Sequence, residues 1–106
     1  MNKADEQRIR QFYKLGCVAC WLDDVPNPQY DVHHLLSGGI RIGDHATIPL
    51  CPWHHRGTFA EASSEIAKAE HGPSMALHPK QFTVKYGTQR ELLKLVDGII
   101  LGEPVI

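Results

Sequence analysis

A chain of 106 residues with 42% hydrophobic side chains has room for one modest core, and domains this small commonly lean on a metal or disulfides for stability. Eleven basic and twelve acidic residues leave a formal charge of −1 and a pI of about 6.6, which argues against tight, unaided DNA binding, although seven histidines and any bound metal add positive charge outside that sum. No apolar run reaches membrane-spanning length, Met1-Asn2-Lys3-Ala4-Asp5-Glu6 is unlike a secretion signal, and three cysteines cannot all pair within the chain. The expectation is a cytoplasmic protein, without a membrane segment, whose cysteines bind metal rather than each other.

Taken in order, residues from Ala4 to Leu15 read as a helix with Ile9, Phe12 and Tyr13 on its apolar face, Asp5 as its cap and Gly16 as its stop. Cys17-Val18-Ala19-Cys20-Trp21 makes a compact turn, and Pro26-Asn27-Pro28 interrupts regular structure. A strand is predicted over Tyr30 to Leu36, turned by Ser37-Gly38-Gly39, with Thr47-Ile48-Pro49-Leu50 returning. A short helix starting near Cys51 or Pro52 carries His54 and His55. Residues Thr58 to Glu70 have a helix-compatible composition that also suits an insertion. Two further helices follow, one from about Pro79 to Tyr86 and one opened by Thr88, whose spacing to Glu91 forms a capping box. The whole reads as one domain over residues 1–106, with an N-terminal helix at about 4–15, a core at about 17–57 and C-terminal helices at about 79–101.

Two knuckles of metal-ligand form stand out, Cys17-x-x-Cys20 and Cys51-x-x-His54. Each presents two donors across one tight turn, and together they supply the four ligands of a structural zinc. A redox C-x-x-C pair and plain buried cysteines are the competing readings. Trp21 and Trp53, beside the knuckles, are expected to cover the metal.

His33, His34 and His55 are left over once the zinc is filled. Phosphodiester hydrolysis needs an activated water and a charge neutraliser, roles open to a neutral histidine and a divalent cation. Successive strand residues face opposite sides, so a bend at the hairpin's end is needed for His33 and His34 to share a site. Metal held by His33 and His55, with His34 as base, is one workable geometry. A single histidine on a strand is more often a surface or hydrogen-bonded core residue. Arg41, Arg56, Lys80, Lys85 and Arg90 are candidates for a phosphate path or simply a solvated face.

On Cys17-Val18-Ala19-Cys20, His33-His34 and Pro49-Leu50-Cys51-Pro52-Trp53-His54-His55 the chain resembles the HNH endonuclease superfamily. Within it, the chain looks most like the phage-type RecA-dependent nucleases, the recombination enhancement function (Ref) family. That likeness rests on Thr47 to Gly57 and on a tail of His71-Gly72, His78, Phe82, Tyr86-Gly87-Thr88 and Glu91-Leu92-Leu93, and it covers about residues 15–100. The resemblance implies an α+β fold with a small zinc-stabilised ββα-metal (HNH, treble-clef-like) core and flanking helices. It implies His34 as general base, and His33 and His55 as ligands of one catalytic divalent cation, Mg2+ or Mn2+ or else Zn2+. Its implied partners are DNA and a RecA filament on single-stranded DNA, in a bacterial host cell, with a phage or prophage origin. One position departs from the pattern: counting back from Cys51 to the usual polar middle residue reaches Ala46, which leaves His45, Thr47 or Asp44 to substitute. His71, His78 and His45 are further candidate ligands. The competing function is a non-catalytic zinc-binding adaptor that contacts nucleic acid or protein.

Overall fold

The computed structural model describes residues 2–59 and 63–102. The apolar end at 103–106 and part of the segment read as an insertion, 60–62, lie outside them. Helix α1 (Lys3–Arg10) is capped by Asn2, whose side-chain oxygen accepts the Asp5 N–H at 2.8 Å, so Asp5 lies in the first turn instead of capping it. The helix therefore begins at Lys3, one residue before the expected start, because Asn2 satisfies an N-terminal donor. The expected single helix breaks at Gln11, and α2 (Phe12–Leu15) delivers Phe12 to the core. Gly16 ends it at φ 69°, where a Cβ would meet the Asn27 carbonyl oxygen at 2.2 Å, so only glycine fits there.

The first knuckle is a helical turn: α3 (Val18–Leu22) starts at Cys17, whose Sγ accepts the Cys20 N–H at 3.5 Å. The hairpin that follows is built in two pieces. Strand β1 (Asp31–His34) is followed by β2 (Leu36–Ser37) and β3 (Ile40–Arg41), and β4 (Thr47–Leu50) returns. β1 and β4 pair antiparallel with Asp31 opposite Leu50 and His34 opposite Thr47, while β2 and β3 form a separate short ladder. The expected continuous strand is divided at Leu35. That side chain is buried, its N–H donates to the Ala46 carbonyl at 2.9 Å, and its carbonyl accepts from the Ile42 N–H at 3.1 Å. Leu35 thus holds the bend between the two ladders.

Helix α4 (Pro52–Arg56) begins directly after β4, with Cys51 as its cap and proline in its first turn, and ends at Gly57 in the left-handed region. Helix α5 (Ser64–His71) realises the helical option for the uncertain segment. Helices α6 (Pro79–Tyr86) and α7 (Gln89–Ile100) appear with the expected bounds, and both bonds of the Thr88–Glu91 capping box are present. The core gathers Phe12, Val18, Ile48, Leu50, Phe82, Leu92 and Val96, all buried. It lies against β4, every residue of which is buried. Arg8 fastens α1 across this core by bonding the Asp97 carboxylate and the Thr47 carbonyl. The result is an α+β fold in which a hairpin and a following helix frame a cysteine–histidine cluster, a zinc-type ββα-metal core.

Candidate metal centre and active site

Cys17, Cys20, Cys51 and His54 converge in the interior, and one donor atom from each lies within 4.8 Å of all the others. Cys20 Sγ is 3.9 Å from Cys51 Sγ, and His54 Nδ1 is 3.6, 3.4 and 3.2 Å from the sulfurs of Cys17, Cys20 and Cys51. A tetrahedron with Zn–S of about 2.3 Å and Zn–N of about 2.0–2.1 Å requires edges of roughly 3.8 Å between sulfurs and roughly 3.6 Å from sulfur to nitrogen. The donor set therefore fits a structural zinc.

Its surroundings fit as well. His54 Nε2–H donates to the His71 carbonyl at 2.8 Å and lies 3.1 Å from the Tyr86 hydroxyl, which donates to Asp23 at 2.7 Å. That arrangement turns the Nδ1 lone pair toward the sulfurs. The Asn27 side chain and the backbone N–H groups of Cys20 and His54 donate to the sulfurs of Cys20, Cys17 and Cys51 respectively. Contacts from Cys17 and then Cys20 draw the Cys51 thiol far below its ordinary value, while those from Cys20 and Cys51 push Cys17 up. Burial opposes a charge on His54, yet Cys20 and Cys51 outweigh it and carry the imidazole up to about 10. The chemistry of the donors and their tetrahedral spacing make this buried set suited to a cation. Trp53 is buried beside it, with its indole N–H on the Gly72 carbonyl, whereas Trp21 is 41% exposed and faces away, toward Gln11 and Ile99.

The second cluster lies on the other side of the same helix. His33 Nδ1 is 3.1 Å from His55 Nε2, with the ring centroids 4.9 Å apart. The outward nitrogens of the pair are both engaged. His33 Nε2 meets the Gln89 amide oxygen at 2.9 Å, and His55 Nδ1 meets the Asp31 carboxylate at 2.9 Å. Both partners are acceptors, so each outward nitrogen carries a hydrogen and each inward nitrogen a lone pair. Two lone pairs at that distance repel unless a proton or a metal ion lies between them. In that tautomer the pair could offer two nitrogen donors to one cation.

Burial holds His33 below its ordinary value, partly offset by Gln89 and reinforced by the charges of His55 and His34, which keeps it in the neutral form that ligates. Burial raises the Asp31 carboxyl, but hydrogen bonds from His55 and Arg56 outweigh it and hold the group below its usual value. Arg56, itself more than half exposed, reaches Asp31 through Nε at 2.8 Å and so braces the site from the surface.

His34 follows His33 on β1 and bonds a different partner. Its Nε2 lies 3.0 Å from the Asp44 carboxylate. The three imidazoles therefore do not form one cluster: His33 and His55 touch, and His34 stands beside them on its own acceptor. Asp44 is thus the one of the three substitutes for the missing middle residue that contacts the expected base. Thr47 instead bonds the Asp44 carbonyl at 2.8 Å, and His45 is exposed. The other candidate ligands lie elsewhere. The His71 ring lies tilted against Phe59, with centroids 5.0 Å apart, and His78 accepts the Ser74 N–H at 3.2 Å near Trp53. Among the described residues, neither these two nor His45 bonds to the His33–His55 pair. Arg41 is exposed on the outer hairpin and Lys85 pairs with Asp23 at 3.5 Å.

Asp31, Asp44 and Gln89 had no assigned part in the sequence reading beyond Asp44 as a substitute. Asp31 was open to detection, because it lies two residues before His33 and so shares its face of the strand.

The chain matches the family described as recombination enhancement, RecA-dependent nuclease over residues 2–100. It belongs to that family. The description carries a nuclease activity, a place in recombination and a dependence on RecA; the cysteine–histidine cluster adds a group that could hold a structural metal such as zinc.

Proposed function

We propose that this protein hydrolyses DNA phosphodiester bonds by an HNH-type mechanism at the edge formed by His33, His34 and His55, on DNA presented by a RecA filament. The observation that carries the proposal is the pair of imidazole nitrogens, His33 Nδ1 and His55 Nε2, facing each other at 3.1 Å on a hairpin and a helix that the cysteine cluster braces. His33 and His55 would hold the catalytic cation, Mg2+ or Mn2+ or else Zn2+, with water and phosphate completing the open site; the two imidazole donors suit a transition-metal ion better than Mg2+. Such an ion supplies charge neutralisation at the scissile phosphate and the leaving oxygen.

The chain's own groups do the rest. Asp44 accepts from His34 Nε2–H, which fixes the ring and leaves Nδ1 as the basic nitrogen. Nδ1 takes a proton from the attacking water as its oxygen bonds to phosphorus. One P–O ester bond breaks, and the departing oxygen takes a proton from solvent. Asp31 keeps His55 in its ligating tautomer, and Arg56 keeps Asp31 in place. The near-neutral charge of the chain gives it little affinity for DNA by itself, which favours delivery by a filament.

Plasmid nicking with and without RecA, single-stranded DNA and Mg2+ tests this. His34→Ala is expected to retain zinc and fold while losing about 10²- to 10⁴-fold in cleavage, the range for a general base. A variant that still cuts at the parent rate removes His34 from that role. A parent protein that binds one zinc, takes up no second ion and never cuts favours the adaptor function.

A further inference from the structure

We infer that Gln89 is a positioning residue for His33, selecting the ring tautomer that keeps the His33–His55 pair open to a cation. The inference rests on the nuclease reading only for its link to catalysis; the tautomer itself is a property of the ring and its neighbours.

A neutral imidazole carries one hydrogen and has two places to put it. With the hydrogen on Nδ1, His33 would donate directly to His55 Nε2 at 3.1 Å. That ordinary hydrogen bond would consume both inward nitrogens and close the site. With the hydrogen on Nε2, the inward nitrogen is bare, and a cation is then the favourable neighbour. Nothing within the hairpin chooses between these forms. The choice comes from the start of α7, where the Gln89 amide oxygen lies 2.9 Å from His33 Nε2 and accepts its hydrogen. Asp31 performs the matching service for His55 from within β1. Gln89, His33 and Arg90 also share the wall of one groove of about 490 Å³, so the bond lies at an open surface beside His33.

Gln89 has little else to do. It is exposed, and the first turn of α7 is already capped by Thr88 and Glu91. Gln89→Leu and Gln89→Glu are therefore both expected to fold. Leucine removes the acceptor; glutamate can only accept and cannot turn a donor toward the ring.

The test is nitrogen NMR of the His33 ring in the full-length, zinc-loaded protein without added divalent cation, paired with Mn2+ titration. The Nε2–H form is expected to dominate in the parent and in Gln89→Glu, with a shift toward Nδ1–H in Gln89→Leu. Mn2+ affinity should fall about 10- to 100-fold in Gln89→Leu, the usual cost of losing an outer partner of a ligand histidine, with KM for DNA unchanged. Gln89→Glu should bind Mn2+ as the parent does. An unchanged tautomer in Gln89→Leu, or equal weakening by both variants, overturns the inference. Failure of the nuclease reading has a different signature: His33→Ala and His55→Ala would cleave normally, whatever the tautomer at His33.

Discussion

His54 and His55 are neighbours on α4, yet they serve sites of opposite character. One residue of helix turns the side chain by about 100°. His54 is 1% exposed and meets three sulfurs. His55, with 23% of its side chain exposed, meets one imidazole and one carboxylate. The first site is closed, since its four protein donors leave no place for water. The second presents only two protein nitrogens to the ion and leaves the remaining positions open. Under the proposed function, this is the division between a metal site that holds a fold and one that does chemistry. Sequence adjacency makes the closed site a clamp for the open one, because the turn that seats His54 also fixes His55 against β1.

The largest expected effect comes from breaking the closed site. Cys51→Ser removes a sulfur ligand while its hydroxyl can still cap α4, so the loss reports on the metal site rather than on the cap. Zinc binding in small domains is worth on the order of 10 kcal/mol, comparable with the whole stability of about 5–15 kcal/mol for a domain. Loss of bound zinc by metal analysis and loss of cooperative unfolding by circular dichroism should accompany each other. A zinc-free variant that melts like the parent would mean that the hydrophobic core alone holds the fold.

A smaller and more selective effect separates the open site. Asp31→Asn removes the carboxylate behind His55 while leaving all four cluster ligands intact. Mn2+ affinity and cation-dependent cleavage are expected to fall about 10- to 100-fold. Zinc content and melting temperature should scarcely move, because the lost Arg56 pair is half-exposed and worth about 0–1 kcal/mol. A comparable loss of zinc in Asp31→Asn would erase the distinction between the two sites.

The two sites were not equally legible. The closed one could be read from spacing, because each knuckle compresses two ligands into one turn and needs nothing distant. Half of the open one followed from it: fixing His54 necessarily brings His55 to the first strand. The remaining parts come from contacts that local pattern does not encode. Gln89 reaches His33 across 56 residues of chain, and no periodicity links them. The division of the hairpin was hidden because Leu35 is buried immediately after His34, against the strand alternation that the reading assumed. The cap of α1 was misplaced for a local reason: Asn2 and Asp5 are both competent caps, and only the backbone decides between them. By contrast, the Thr88–Glu91 box was readable because both partners lie within one turn.

That box provides the smallest test, and it bears on the open site through the helix that carries Gln89. Thr88→Ala removes the hydroxyl that accepts the Glu91 N–H at 3.1 Å and should cost about 1 kcal/mol by urea unfolding. The reciprocal bond, Thr88 N–H to the Glu91 carboxylate at 3.0 Å, holds the Glu91 carboxyl below its usual value. The sign of the pH effect follows. A carboxyl depressed in the folded state contributes stability above its unfolded value and loses it as pH falls through the folded value. Glu91→Ala should therefore destabilise at neutral pH, and its difference from the parent should shrink on acidification below the ordinary glutamate range. Thr88→Ala removes an uncharged acceptor, so its cost should persist further into acid. If both differences fade together, the charge on Glu91 is what holds the first turn. If neither depends on pH, the carboxylate adds nothing to the cap, and Gln89 is held by packing of α7 on the core instead.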